Sequence, residues 1–332
     1  MSDLDFGVLL PHVGVFGGVR RFLELGNTLL RRGHRYVLYH PEGTRPTWMP
    51  FAGEVRRLGT LREHSHRVLV ASHVDLAGEL ENACAELKLF YCVHKDLPAR
   101  DIVRHRGWIL LANSGALQQR LWRRHRVRAE DAIGGVDLRL FRPRAPAPEP
   151  PFRVLVFART SRAGKGTRVA LAAAERAAER MAPQTLHLVL FDHVGPGNEP
   201  DPRRSLHIRL PHDFHLNLPQ EELAHLFASC HLFLSAERRA GWSNTVAEAM
   251  AAGVPVVCTR AGTLELATHD ETACVVRWRH AWTLARALVT LWRDPQRRER
   301  LRRAALQRVQ RYSWERVADR LEAIARARLA LR

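Results

Sequence analysis

The chain reads as an α/β protein of two successive doubly wound, Rossmann-like parallel-sheet domains with a helical C-terminal tail. Short apolar runs rich in β-branched residues alternate with helical patterns, the alternation breaks at a proline-rich stretch, and it then restarts. At 332 residues and 46% hydrophobic content, the chain can fill two cores of about 100 to 200 residues each.

The first half predicts strands at 6–10, 36–39, 68–71, 89–93 and 108–111, with helices at 19–31 and 114–124. Such alternation implies a parallel sheet covered on both faces, with right-handed crossovers. Residues 142–151 hold five prolines in ten positions, which neither donate to a ladder nor continue a helix. The boundary is placed there: 1–143 as the first domain, 144–151 as linker, 152–312 as the second domain and 313–332 as a C-terminal helix. In the second half the pattern predicts strands at 154–157, 186–191, 232–234, 256–258 and 273–276, and helices at 168–181, 220–229 and 245–252. From Trp282 onward only helical spacing remains, and no solenoid-period repeat is present.

No apolar run reaches the roughly 18 residues a membrane helix needs, and the first residues lack the basic flank and apolar core of a secretory signal. A cytoplasmic location is expected. Cys84, Cys92, Cys230, Cys258 and Cys274 are odd in number and lie mostly in apolar segments, so they are expected as reduced core residues. No metal site is readable. The formal charge of +18 points to an acidic partner, or to a genome rich in arginine codons. With 49 arginines and only three lysines, codon usage accounts for most of it. Each lysine then becomes informative: Lys88 precedes an apolar strand, whereas Lys95 and Lys165 stand in candidate ligand loops, where a compact ammonium is not interchangeable with a planar guanidinium.

The stretch 232–258 reads as strand, glycine-containing loop, acid-bearing helix, strand. That order builds a site at a strand's carboxyl end, facing a helix amino terminus. Gly241, Trp242, Glu248, Ala249, Met250, Ala251, Gly253, Pro255, Val256 and Val257 match the pattern E-G-F-G-x-x-x-x-E-A-M-A-x-G-x-P-V-V. On these residues the chain resembles retaining glycosyltransferases of the GT-B fold, of the family 4 (glycosyl transferases group 1) type. The resemblance implies two doubly wound domains facing a cleft, a last helix crossing back onto the first domain, and transfer of a sugar, of hexosyl type, from a nucleotide diphosphate with retention. It implies no metal or other cofactor.

Such a transfer requires stabilising the departing diphosphate, holding the nucleoside and shielding a cationic sugar from water. The resemblance assigns Glu248 to the ribose hydroxyls. From the residues alone, Thr245 to Glu248 also fits a capping box, in which the same glutamate would hold its helix start. Ser243, Asn244 and Thr245 supply hydroxyl, amide and backbone donors for phosphate or sugar. The stretch 158–166 follows a strand, precedes a helix and resembles G-R-L-x-x-x-K-G with one extra residue between its basic pair. Arg159 and Lys165 are then the diphosphate ligands, offsetting charge that grows on the leaving group, with Arg162 as an alternative to Arg159.

In the first half, strand 6–10 leads into Gly17 and Gly18 and then a helix, which lets backbone approach a phosphate at the helix start. His94 stands at a strand end, where the resemblance has a histidine contacting the donor sugar. Asn113 with Ser114, and Gly134 through Pro143, resemble markers of the last first-domain strand and of the crossing between domains, with Asp137 structural. Thr263 and Glu265 resemble a later glycine-plus-acid loop.

One departure stands out. The first glutamate of the pattern falls on Ala240, which neither accepts hydrogen bonds from a sugar nor carries charge. Glu237, three residues earlier, is expected to fold back into the site, with Ser243 and Asn244 as further donor contacts.

Residues 293–332 contain 13 arginines against five acids, punctuated by Tyr312 and Trp314 and preceded by Trp282 and Trp292. A basic helix with aromatics can sit on anionic lipid, or present a solvated face over an aromatic core contact. No helix-turn-helix, stacking platform or zinc signature points to specific nucleic-acid binding. The leading expectation is therefore an enzyme acting on a nucleotide-sugar donor and a glycan, lipid-linked or small-molecule acceptor, with peripheral contact to anionic membrane. The competing readings are a nucleotide-binding protein that has lost transfer, and a basic scaffold docking through its tail.

Overall fold

The computed structural model describes residues 3–94, 96–181, 185–195 and 201–331. Lys95 lies outside the described residues. Two compact units are present, one of residues 1–135 with 314–332 and one of residues 136–313.

In the first unit β1 (Asp5–Leu9), β2 (Arg35–His40), β3 (Glu54–Arg57), β4 (His66–Ala71), β5 (Ala85–Cys92), β6 (Trp108–Ala112) and β7 (Glu130–Asp131) form one sheet. All pairings are parallel, in the order β3-β2-β1-β4-β5-β6-β7. The second unit pairs β8 (Phe152–Phe157), β9 (Leu186–Asp192), β10 (His212–Leu216), β11 (Leu232–Ser235), β12 (Val256–Cys258) and β13 (Cys274–Val275) in the parallel order β10-β9-β8-β11-β12-β13. Each sheet reverses its winding beside its first strand, β1/β4 in one and β8/β11 in the other. In open parallel sheets that reversal leaves a crevice outside the strand carboxyl ends.

The helices are α1 (Gly17–Arg31), α2 (Ala77–Asn82), α3 (Arg100–Val103), α4 (Gly115–His125), α5 (Thr167–Ala178), α6 (Gln220–Ala228), α7 (Asn244–Ala251), α8 (Ala281–Arg293), α9 (Pro295–Val309) and α10 (Trp314–Leu329). The expected central strands and helices are all present, with ends displaced by a few residues. Three strands were not anticipated: β3 and β10 at sheet edges, and the two-residue β7.

The chain passes between units at Gly135, not in the proline-rich stretch where the sequence placed the boundary. That stretch packs within the second unit: Ala147 N donates to Ser229 O at 3.1 Å, Ala147 O bonds His231 Nε2 at 2.6 Å, and Glu149 pairs with Arg298 at 2.9 Å. Prolines lack donors, but the carbonyls and side chains among them still dock. Gly135 has φ +120°, and a Cβ there would lie 2.2 Å from the Trp314 ring. Glycine therefore lets α10 close onto the first unit.

That closure is apolar inside and ionic outside. Val317, Ala318, Leu321 and Ala325 are buried in the core built on Phe6, Phe22 and Tyr91. Arg32 pairs with Asp319 at 2.9 Å and Glu322 at 2.7 Å. Several arginines of the basic tail are ion-paired: Arg297 and Arg300 share Asp270, Arg302 and Arg303 share Glu299, and Arg308 meets Glu271. Among the described residues no helix is long and apolar enough to cross a membrane. All five cysteines are free thiols, four of them buried, whereas Cys84 is exposed and departs from the core expectation. Burial pushes the Cys92 and Cys258 thiols up to about 12.

Candidate active site

In the second unit Lys165, Glu237 and Ser243 meet beside the ends of β8 and β11. The loop after β8 tightens into a single 3-10 turn, Ala163–Lys165, which accommodates the extra residue between Arg159 and Lys165. Gly166 follows with φ +77°, and a Cβ on it would lie 1.9 Å from Ala236 O. The loop is thus pressed against the end of β11, and Arg238 N donates to Gly164 O at 2.8 Å. This contact brings Lys165 to Glu237.

Lys165 Nζ is ion-paired with Glu237 Oε1. The Glu237 side chain is only 4% exposed, against 31% for Lys165, so the carboxylate is the buried partner and the ammonium the accessible one. Ser243 Oγ donates to the other carboxylate oxygen, Oε2, at 2.9 Å, and Thr259 Oγ1 donates to the Glu237 carbonyl. Glu237 thus touches two of the residues named from the sequence, Lys165 and Ser243. Ala240 offers only a methyl group, beside Gly262, whose carbonyl accepts from Ser243 N at 2.9 Å.

Arg159 and Lys165 differ sharply in setting. The Arg159 guanidinium is buried: Nε donates to Asp192 Oδ1 at 3.2 Å and an NH2 group donates to His193 O. Parallel pairing of β8 with β9, with Phe157 opposite Phe191, delivers these groups side by side. The Phe157 ring lies near both cations, 5.8 Å from Arg159 and 5.6 Å from Lys165. Arg162 is exposed at the start of the turn. Arg159 is therefore anchored into the strand ends, while Lys165 is partly accessible and held by Glu237.

Helix α7 begins at Asn244 with Ser243 as its N-cap, and the Ser243 hydroxyl does not cap it because it serves Glu237. Thr245 lies inside the helix and Glu248 on its second turn, so the alternative capping-box register is not formed. Glu248 is 4% exposed. Gly241, Asn244 and Thr245 are half-buried, and Trp242 is buried with its ring 5.5 Å from that of Tyr312.

In the first unit, α1 starts at Gly17 after the β1 loop, and a Cβ on Gly18 would lie 3.7 Å from Val93. Asn113 Nδ2 donates to Val93 O at 3.1 Å, pinning the loop that carries His94. His94 is exposed and meets His73 edge-to-face at 5.4 Å. Desolvation, then His73 and more weakly His12, hold its pKa below the ordinary 6.5, with Asp96 opposing; at pH 7 the imidazole is neutral. Gly17, Gly18 and His94 thus follow the carboxyl ends of β1 and β5 in the first sheet. Asp137 accepts from Arg139 N and Leu140 N, a turn-forming role.

Residues 151–294 match the family model described as Glycosyl transferases group 1. The match lies within the second unit. D-inositol 3-phosphate glycosyltransferase of Pseudarthrobacter chlorophenolicus is 30% identical to the chain over 202 residues, 58% of this chain and 48% of that protein. The enzyme of the same description from Segniliparus rotundus is 28% identical over 209 residues, 59% of this chain and 46% of its own length. The chain spans about half the length of the curated relatives it matches.

Solved structures extend the likeness in fold to both units. Sucrose-phosphate synthase from Thermosynechococcus elongatus matches with TM-score 0.76 at 17% identity, over 99% of this chain and all of the other. Anabaena HepE in complex with UDP and glucose matches with TM-score 0.76 at 16% identity, over 98% of this chain and 100% of that one. A glycosyltransferase from Rickettsia africae ESF-5 gives 0.78 at 14%, over 99% of each. The fold is GT-B, with two doubly wound parallel-sheet units.

Several neighbours of the site were not singled out in the sequence. Asp192 closes an apolar run, which is a recognisable strand-end signal, but its pairing with Arg159 depends on strand order. Thr259 and Gly262 carry no signal beyond following a strand. His12 and His73 stand after β1 and β4, at the reversal in strand order.

Proposed function

We propose that this protein is a glycosyltransferase that moves a sugar from a nucleotide-diphosphate donor to an acceptor, with retention of configuration and without a metal. The observation that carries the reading is the buried Glu237 carboxylate, held between the Lys165 ammonium and the Ser243 hydroxyl at the start of α7. It fixes an accessible cation beside a helix amino terminus, the combination a diphosphate requires.

In this reading Lys165 offsets the charge that builds on the diphosphate as the anomeric bond breaks, and the first amides of α7 face the same anion. Arg159 adds positive potential from its anchored position beside Asp192. Glu248 takes the ribose hydroxyls. Trp242, Ser243, Asn244 and Thr245 surround the donor. The acceptor hydroxyl joins the anomeric carbon and its proton leaves with the diphosphate. Glu237 assumes the sugar-side role that Ala240 cannot fill. A UDP-sugar is the first donor to test, because HepE binds UDP and glucose.

The test is nucleotide release from UDP-, GDP- and ADP-sugars, with and without a pool of polyol, glycan and lipid acceptors and with a chelator present. Acceptor-dependent, chelator-resistant release of one nucleotide is expected. Tight nucleotide binding without release under any acceptor would favour the second reading, for which Ala240 speaks: a nucleotide-binding protein that has lost transfer.

A further inference from the structure

The first unit carries a concentration of guanidinium groups between α3 and the second half of α4. Arg100, Arg104, Arg120 and Arg124 line a cavity of about 710 Å³ with Asp96 and His125. Arg104 and His125 also border a second cavity of about 610 Å³, whose other arginines include Arg106, Arg126 and Arg128. The two cavities share a wall. The second reaches the amino end of β6 at Trp108, opposite the strand carboxyl ends where His12, His73 and His94 stand.

An arginine-rich composition alone does not produce this arrangement. In the C-terminal tail most guanidiniums meet a carboxylate. In the groove, among the described residues, Arg100, Arg106, Arg124, Arg126 and Arg128 have no carboxylate within 4.0 Å. Arg328 pairs with Glu130 at 2.8 Å. His125 is 9% exposed and its Nε2 has no hydrogen-bond partner, while Arg104 donates to its backbone carbonyl at 3.0 Å. Trp122, 43% exposed on α4, lies 5.6 Å and 5.4 Å from the Arg126 and Arg128 guanidiniums. Like charges gathered around cavities of this size are relieved by a bound anion, and guanidinium forks match phosphate oxygens bidentately.

We propose that the arginine-lined groove between α3 and α4 is a binding site for a ligand carrying two or more phosphate groups. A soluble polyphosphate ester and a cluster of phospholipid headgroups present the same chemistry, and the experiment separates them. This inference does not depend on the proposed transfer reaction.

Tripolyphosphate is titrated calorimetrically at about 0.15 M salt, where diffuse attraction between exposed charges is largely screened. Co-sedimentation is measured in parallel with phosphatidylcholine vesicles, with and without phosphatidylglycerol. The variant is Arg100→Gln/Arg124→Gln, whose side chains are exposed and hold no structural contact with a carboxylate. The control, Arg277→Gln/Arg286→Gln, removes the same charge from exposed positions of the second unit. The groove variant is expected to weaken binding roughly tenfold or more while the control stays within about twofold, as for loss of charge-assisted bonds. A soluble ligand gives this pattern with tripolyphosphate alone; a lipid site gives it with the phosphatidylglycerol vesicles as well. Equal binding by wild type and groove variant, equal loss in both variants, or no binding of either probe overturns the proposal.

Discussion

Ser243 Oγ donates to Glu237 Oε2 across 2.9 Å, so the residue that opens α7 directs its hydroxyl to a buried carboxylate instead of to the helix's own amides. The same carboxylate holds Lys165. Glu237→Gln keeps an acceptor for Ser243 but removes the charge that positions the ammonium. Turnover is expected to fall roughly tenfold to a hundredfold, equivalent to about 1 to 3 kcal/mol for a hydrogen bond to a charged group. Steady-state kinetics check this, and unchanged turnover would remove Glu237 from the site.

The close approach of Gly166 to Ala236 O makes a paired stability test. Gly166→Ala meets both a positive φ and a backbone oxygen, and a loss of roughly 3 kcal/mol is expected in denaturant unfolding. A Cβ on Gly164, in the same loop, meets nothing within 4 Å, so Gly164→Ala is expected to stay within about 0.5 kcal/mol of wild type. Equal effects would mean that the loop is not pressed against β11.

Four histidines, His12, His94, His125 and His231, have pKa values below the ordinary 6.5, with desolvation the leading cause in each. The unfolded chain then binds more protons than the folded one just below that value. Stability is fully present above pH 6.5, declines as pH falls below it, and the histidine contribution is exhausted once the folded-state values are passed. Glu299, held down to about 2 by its hydrogen bond to Arg302, belongs to a separate and more acidic phase. Unfolding midpoints measured from pH 8 to 5 are expected to drop only below about 6.5; a rise on acidification would contradict the assignment.

Much of the fold was legible because the central strands are buried on both faces and therefore run as unbroken apolar segments. The edge strands β3, with its Glu-Val-Arg-Arg sequence, and β10, half exposed along its length, lack that signature. The boundary was misplaced because proline content signals missing donors and not where a segment docks; Trp314 closing onto Gly135 is visible only in three dimensions. In the site, Lys165 and Glu237 could be named from their loops. Asp192 could not be paired with Arg159, since parallel alignment of β8 and β9 creates that neighbourhood. Register inside α7 likewise decided against the capping-box alternative for Glu248.

The most direct measurement is a calorimetric titration of wild type and Lys165→Ala with UDP, GDP and ADP and their sugars, with thermal melts confirming that both are folded. The account predicts that at least one nucleotide diphosphate binds the wild type and that Lys165→Ala weakens it roughly tenfold or more, as expected for a lost charge-assisted contact. Failure of every nucleotide to bind, or equal affinity in the two proteins, would contradict it.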